Sequence, residues 1–240
     1  MANLEGRIPH KRSVIVAADV YSALLGNLVE ATHEVKGIGG YKVGMQLVLN
    51  HGLFNTVAMV KDSTDLPVIF DYQKAGNDIP AMGEPFAQIC KDAKVDAAIL
   101  FPFGGEQTQK DWIKALQDRG VGVLVGAHMT QPGFLWSEGG YIHDSAPGRI
   151  FENAAKEGIK DFVVPGNKAE FVKQYKELFD RVVGPGEYTL YAPGFITQGG
   201  EISEMAQAAG DNWHAIVGSA IYNAVDIKKA AEETTAQITK

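Results

Sequence analysis

Cysteine is almost absent from this chain. Cys90 alone among 240 residues excludes an internal disulfide and a cysteine-based zinc cluster. It lies in an apolar helical pattern and reads as a core thiol. Long hydrophobic runs are also missing. None approaches the ~18 to 20 residues of a membrane span, and residues 1–7 lack the apolar stretch of a secretory signal. The expectation is a soluble, cytoplasmic protein with no membrane contact. There is no basic excess: 22 Lys and Arg against 29 Asp and Glu give a net charge of −7. That argues against non-specific nucleic-acid binding, which needs cations to displace counterions from phosphates. It leaves room for a small anion held by a few local donors. Several catalytic signatures are absent as well. His10, His33, His51, His128, His143 and His214 are scattered without an HExxH pair, and no Gly-x-Ser-x-Gly elbow or dinucleotide fingerprint occurs. No linker, low-complexity tract or internal repeat divides residues 1–240, so a single domain is expected.

What is present is alternation. Short apolar runs at 14–18, 41–44, 67–71, 96–101, 121–127, 161–165, 188–191 and 214–218 read as strands. Helical patterns fill 22–35, 45–60, 79–93, 108–119, 149–157, 168–182, 201–209 and 220–235. The strands are apolar throughout rather than alternating, as when both sheet faces are covered. Eight such units in one chain of this length predict a single-domain α/β fold, a (β/α)8 TIM barrel. A doubly wound open sheet is the runner-up. The one long connection, 130–147, reads as a lid, with Phe134, Trp136 and Tyr141 as candidate covers.

The strand ends hold the chemistry. After Val68, Ile69 and Phe70 come Asp71, Lys74 and Asp78, with Ala75, Gly76 and Asn77 as a turn. Asp78 precedes Ile79 and Pro80 and reads as a helix cap. Asp71 and Lys74 fit an ordinary strand-end ion pair. They also fit proton chemistry once Asp19 and Lys42, at the ends of the first two strands, are set beside them. A buried lysine among acids stays protonated and acts as a general acid. Glycines gather after the last two strands, from Pro193 and Gly194 to Gly199 and Gly200, and at Gly218 and Ser219. Exposed backbone N–H groups there point to an anion site.

These residues come in a familiar order. Asp19, Lys42 within Tyr41-Lys42-Val43-Gly44, the stretch from Asp71 to Pro80, Met129-Thr130-Gln131-Pro132-Gly133, Pro193-Gly194 through Gln198-Gly199-Gly200, and Gly218 before Ile221 and Tyr222 follow one another. Over about 13–235 the chain resembles the orotidine 5′-phosphate decarboxylase family. The resemblance implies a cofactor-free, metal-free decarboxylation of orotidine 5′-monophosphate (OMP). Lys42, Asp71, Lys74 and Asp78 would be the charged network, with Lys74 as proton donor and Asp71 against the substrate carboxylate. Asp19 would contact the ribose, Thr130 the pyrimidine, and Pro193 the base. Gly194, Gln198, Gly199, Gly218 and Ser219 would hold the phosphate. A homodimer with Asp78 shared across the interface is also implied.

The chain departs from the family pattern at three places. Two residues, not one, separate Asp71 from Lys74, and three, not two, separate Lys74 from Asp78. An odd offset turns Lys74 to the other face of a strand unless the strand ends at Asp71 or bulges. Ser219 replaces the usual phosphate-binding arginine, and Met82 a common threonine. Two other functions stay open: a Mg2+-dependent sugar-phosphate enzyme of the same superfamily, and a barrel that binds a phosphate ligand without turnover.

Overall fold

Short β-branched segments bury both faces only when each has a neighbour on either side. Here eight do: β1 (Arg12–Ala18), β2 (Ile38–Gly44), β3 (Val68–Asp71), β4 (Ala97–Leu100), β5 (Gly122–Gly126), β6 (Asp161–Val163), β7 (Thr189–Pro193) and β8 (Trp213–Val217). All pairings are parallel, and β8 pairs with β1 to close a barrel, which removes the open sheet from consideration. The computed structural model describes residue 8, residues 10–194 and residues 208–238. Gln198, Gly199 and most of the helix expected over 201–209 lie outside these.

The connecting helices are α1 (Ser22–Thr32), α2 (Met45–His51), α3 (Leu53–Lys61), α4 (Gly83–Asp92), α5 (Glu106–Asp118), α6 (Ala146–Lys156), α7 (Ala169–Val182), α8 (Ser219–Tyr222) and α9 (Ile227–Ile238). The single helix expected over 45–60 is two, because Gly52 takes φ +80° and breaks the hydrogen-bond ladder. Helix α6 starts three residues earlier than expected, with Pro147 in its first turn, where a missing N–H costs nothing. Asp78 does not cap α4. A one-turn 3-10 helix, Pro80–Met82, intervenes, and among the described residues the Asp78 carboxylate accepts only from the Ile79 N–H, at 2.7 Å.

Strand alternation sorts the core into two sets. Val14, Val16, Tyr41, Val43, Val68 and Phe70 face the helices; Ile15, Ala17, Ile69, Ile99, Leu124 and Ile216 fill the barrel. The barrel floor is polar but satisfied. Ser13 Oγ and His214 Nδ1 lie 2.7 Å apart, and the Tyr191 hydroxyl donates to Asp161 at 3.1 Å. Burial drives the His214 pKa down to about 3, so its imidazole is neutral. Cys90 is fully buried under the helix layer, and burial pushes its thiol up to about 12, consistent with a core thiol.

Candidate active site

The other end of the barrel is charged. In β2, Tyr41 faces outward, its hydroxyl 2.7 Å from Thr32 Oγ1, so Lys42 faces inward. Register places Lys42 beside Ala17 and Ile69, one step from Asp19 and Asp71. The Lys42 ammonium donates to Asp19 at 3.1 and 3.3 Å and pairs with Asp71 Oδ2 at 3.1 Å. Lys42 is 7% exposed and Asp71 9%. Burial pulls the lysine pKa down, but the charges and hydrogen bonds of Asp71 and Asp19 outweigh it and hold the ammonium above its ordinary value. Gly44 leaves the room: a Cβ there would stand 3.0 Å from Asp19 Oδ1 and 3.6 Å from Lys42 Nζ.

This cluster lines a cavity of about 250 Å³ at the carboxyl ends of the strands. Asp19, Lys42, Asp71, Thr130, Pro193, Gly194, Gly218 and Ser219, all expected from the sequence, line it together. Lys74 and Asp78 do not. Both are exposed, and the Lys74 ammonium forms no hydrogen bond or ion pair with a described residue. The reason is the turn that follows β3. The Ala75 N–H donates to the Tyr72 carbonyl at 2.7 Å, and Gly76 takes φ +88° against Pro102. Asn77 Oδ1 accepts from the Phe103 N–H at 2.9 Å, and the Asp78 carbonyl from Thr108 Oγ1 at 3.2 Å. The segment is thus pinned to the neighbouring loop, with its lysine exposed and outside the cavity lining.

Three side chains that the sequence reading passed over as site residues also line the cavity: Gln73, His128 and Tyr222. Gln73 lies in the turn after β3, where a neutral amide carries no sequence signal of chemistry. His128 follows β5 and is bonded on both nitrogens. The Lys168 ammonium donates to Nε2 at 3.0 Å, which leaves the ring proton on Nδ1, 2.7 Å from the Tyr175 hydroxyl. Burial, then the Lys168 charge, lowers the His128 pKa to about 4. Lys168 also pairs with Glu138 at 3.1 Å, and Glu138 accepts from the Phe134 and Leu135 N–H groups at 3.1 and 3.3 Å. Phe134 stacks on His128. The long connection is therefore fastened by its base. Phe134 is buried beside the mouth, while Trp136 and Tyr141 are exposed away from the cavity, so the expected aromatic cover is not formed by them.

Among the described residues, no group of three or more His, Cys, Asp or Glu side chains is placed to hold a metal ion. No described helix is long and apolar enough to cross a membrane.

An eight-stranded parallel barrel with acids and a lysine gathered at the carboxyl ends of its strands has the build of a (β/α)8 enzyme. The chain belongs to the orotidine 5′-phosphate decarboxylase / HUMPS family, whose profile matches residues 12–234. It is 29% identical over 221 residues to orotidine 5′-phosphate decarboxylase of Pyrococcus abyssi, covering 92% of this chain and 96% of the relative. To the Methanosarcina mazei protein of the same name it is 31% identical over 202 residues, 84% of each chain. Among solved structures, the Methanocaldococcus jannaschii orotidine 5′-monophosphate decarboxylase complexed with the inhibitor BMP superposes with a TM-score of 0.82. The identity is 26%, and the match covers 97% of this chain and 100% of that one.

Proposed function

We propose that this protein is an orotidine 5′-monophosphate decarboxylase that works without a cofactor and yields the nucleotide UMP. The observation that carries the reading is the Lys42 ammonium clamped between Asp19 and Asp71 at the barrel mouth, in a chain of this family. In the reaction the bond between C6 of the pyrimidine and its carboxylate breaks, CO2 leaves, and the electron pair remains on C6. A lysine ammonium then gives C6 a proton and is restored from water.

Asp71 stands against the substrate carboxylate, whose negative charge disappears as the bond breaks. Lys42 is a fixed positive charge beside the carbanion that forms. Only groups that hold the transition state better than the substrate accelerate the step, and charges already in place need no reorganisation. Lys74 serves as proton donor by swinging its four-carbon stem into the mouth, since the backbone beneath it is pinned. Thr130 touches the pyrimidine, Pro193 packs by the base, and Asp19 binds the ribose. Gly194, Gly218 and Ser219, with Gln198 and Gly199, hold the phosphate. The exposure of Asp78 suits a residue offered to a second subunit, and the working form is a homodimer.

The test is loss of OMP absorbance on adding purified protein in EDTA. Turnover is expected, and Lys74→Ala is expected to reduce it by at least ~100-fold, the scale of a lost general acid. Absence of wild-type turnover sinks the reading. Activity on a sugar phosphate that returns only with Mg2+ would assign the chain to the sister chemistry instead.

A further inference from the structure

Strand β3 ends at Asp71 and residues 73–76 turn, yet the side chains around that end still divide between the cavity and the helix layer. Ile69 belongs to the apolar set inside the barrel, Asp71 faces Lys42, and Gln73 lines the same cavity. Phe70 and Tyr72 face the other way, their rings stacked at 5.9 Å and 6°. Lys74 is exposed and does not line the cavity. The sequence thus gives a neutral carboxamide, not a charge, to the inward position next to Asp71.

Asp71 has an unused acceptor. Oδ2 is taken by Lys42, while Oδ1 is buried and has no hydrogen-bond partner among the described residues. A ligand group brought against Asp71 by the decarboxylase reading is a carboxylate, and Asp71 offers it no hydrogen. Gln73 does: its NH2 donates and carries no net charge. We propose that Gln73 is a substrate-contacting residue whose carboxamide donates a hydrogen bond to the substrate carboxylate, the group that leaves as CO2. The proposal rests on the decarboxylase reading.

The consequence is a split between binding and rate. A contact to the departing carboxylate is strongest before the bond breaks and is lost as CO2 forms. Such a contact lowers KM without raising kcat. Gln73→Ala is therefore expected to raise KM for OMP on the order of tenfold, the scale of one hydrogen bond to a charged group. The same variant leaves kcat unchanged or higher. UMP, which lacks the carboxylate, binds wild type and variant equally. Gln73→Glu, which sets a second acid against the substrate carboxylate, raises KM further than Gln73→Ala. Because Gln73 is exposed, both variants keep the wild-type melting temperature.

The experiment is steady-state kinetics with OMP plus calorimetric titration with OMP and UMP on all three proteins. A fall in kcat at unchanged KM, or equal weakening of OMP and UMP, overturns the role of Gln73. If the wild type binds OMP but does not turn it over, the decarboxylase reading fails by itself. The OMP-against-UMP difference in Gln73→Ala then still decides whether this carboxamide meets the carboxylate.

Discussion

Lys42 is held by two acids of unequal exposure, and that inequality sets what its loss costs. Asp19 is 44% exposed at its side chain and keeps water as a partner; Asp71 is 9% exposed and does not. Lys42→Met leaves Asp71 as a buried carboxylate with no counterion, which costs about 3 to 5 kcal/mol. Adding Asp71→Asn removes the orphaned charge. The double variant is expected to recover more than half of the loss, since contacting residues couple strongly. Urea denaturation of the two single variants and the double variant checks this; additive losses would show that the pair is not the unit described. Both lysine variants lose turnover. Asp71 was legible as a charge directly after an apolar run, and Lys42 through its place in Tyr41-Lys42-Val43-Gly44. Gln73 was not, because a neutral amide in a turn gives no such signal. Lys74 was misplaced for a different reason: β3 ends at Asp71, and the turn closed by the Ala75 N–H on the Tyr72 carbonyl, not strand alternation, leaves the lysine outside the cavity lining.

At the scale of elements, the long connection between β5 and α6 is where sequence and structure diverge most. Glycines and aromatics marked it as a lid, yet its base is tied down by contacts between residues far apart in the chain. Glu138 gathers two backbone N–H groups and the Lys168 ammonium, and Lys168 reaches on to His128 in the cavity wall. Gly140 sits so close under this turn that a Cβ would stand 2.1 Å from the Phe134 carbonyl oxygen. No local pattern announces an ion pair that spans thirty residues, so the fastening was illegible. Lys168→Met cuts it while keeping the stem. Trp136 and Tyr141, 68% and 98% exposed, are ready chymotrypsin sites once the backbone around them opens. Nicking there is expected to accelerate roughly tenfold, as when local opening becomes about 1.4 kcal/mol easier. An unchanged digestion rate would mean that Phe134 and Leu135 hold the connection without the ion pair. Helix boundaries were read to within a few residues except at two breaks: at Gly52 a continuous apolar pattern runs through a backbone that turns away from the helix, and the single helix expected over 220–235 is two, α8 and α9, parted at residues 223–226 without a glycine.

At the scale of the molecule, the barrel was legible because eight apolar strands with helices between them leave few ways to bury both sheet faces. The proposal of a second subunit rests on Asp78. That residue stands at the surface beside Ile79 and Met82, which are 63% and 42% exposed, and it serves no partner in its own cavity. If Asp78 works across an interface, then Lys42 and Asp78 of one functional site come from different chains. This has a consequence that no single variant can mimic. Lys42→Met and Asp78→Asn are each inactive as homodimers. Mixed and allowed to exchange, they form heterodimers in which one site carries both lesions and the other carries neither. With random pairing of equal amounts, half the dimers are mixed and one of their two sites is whole, so turnover should return to about a quarter of wild type. The measurement is OMP turnover after the two proteins are denatured and refolded together, against the same proteins refolded apart. Recovery only in the joint refolding places Asp78 in the neighbour's site. No recovery, with a dimeric mass by light scattering, would mean that each barrel supplies its whole site and that Asp78 has only its local bond to the Ile79 N–H.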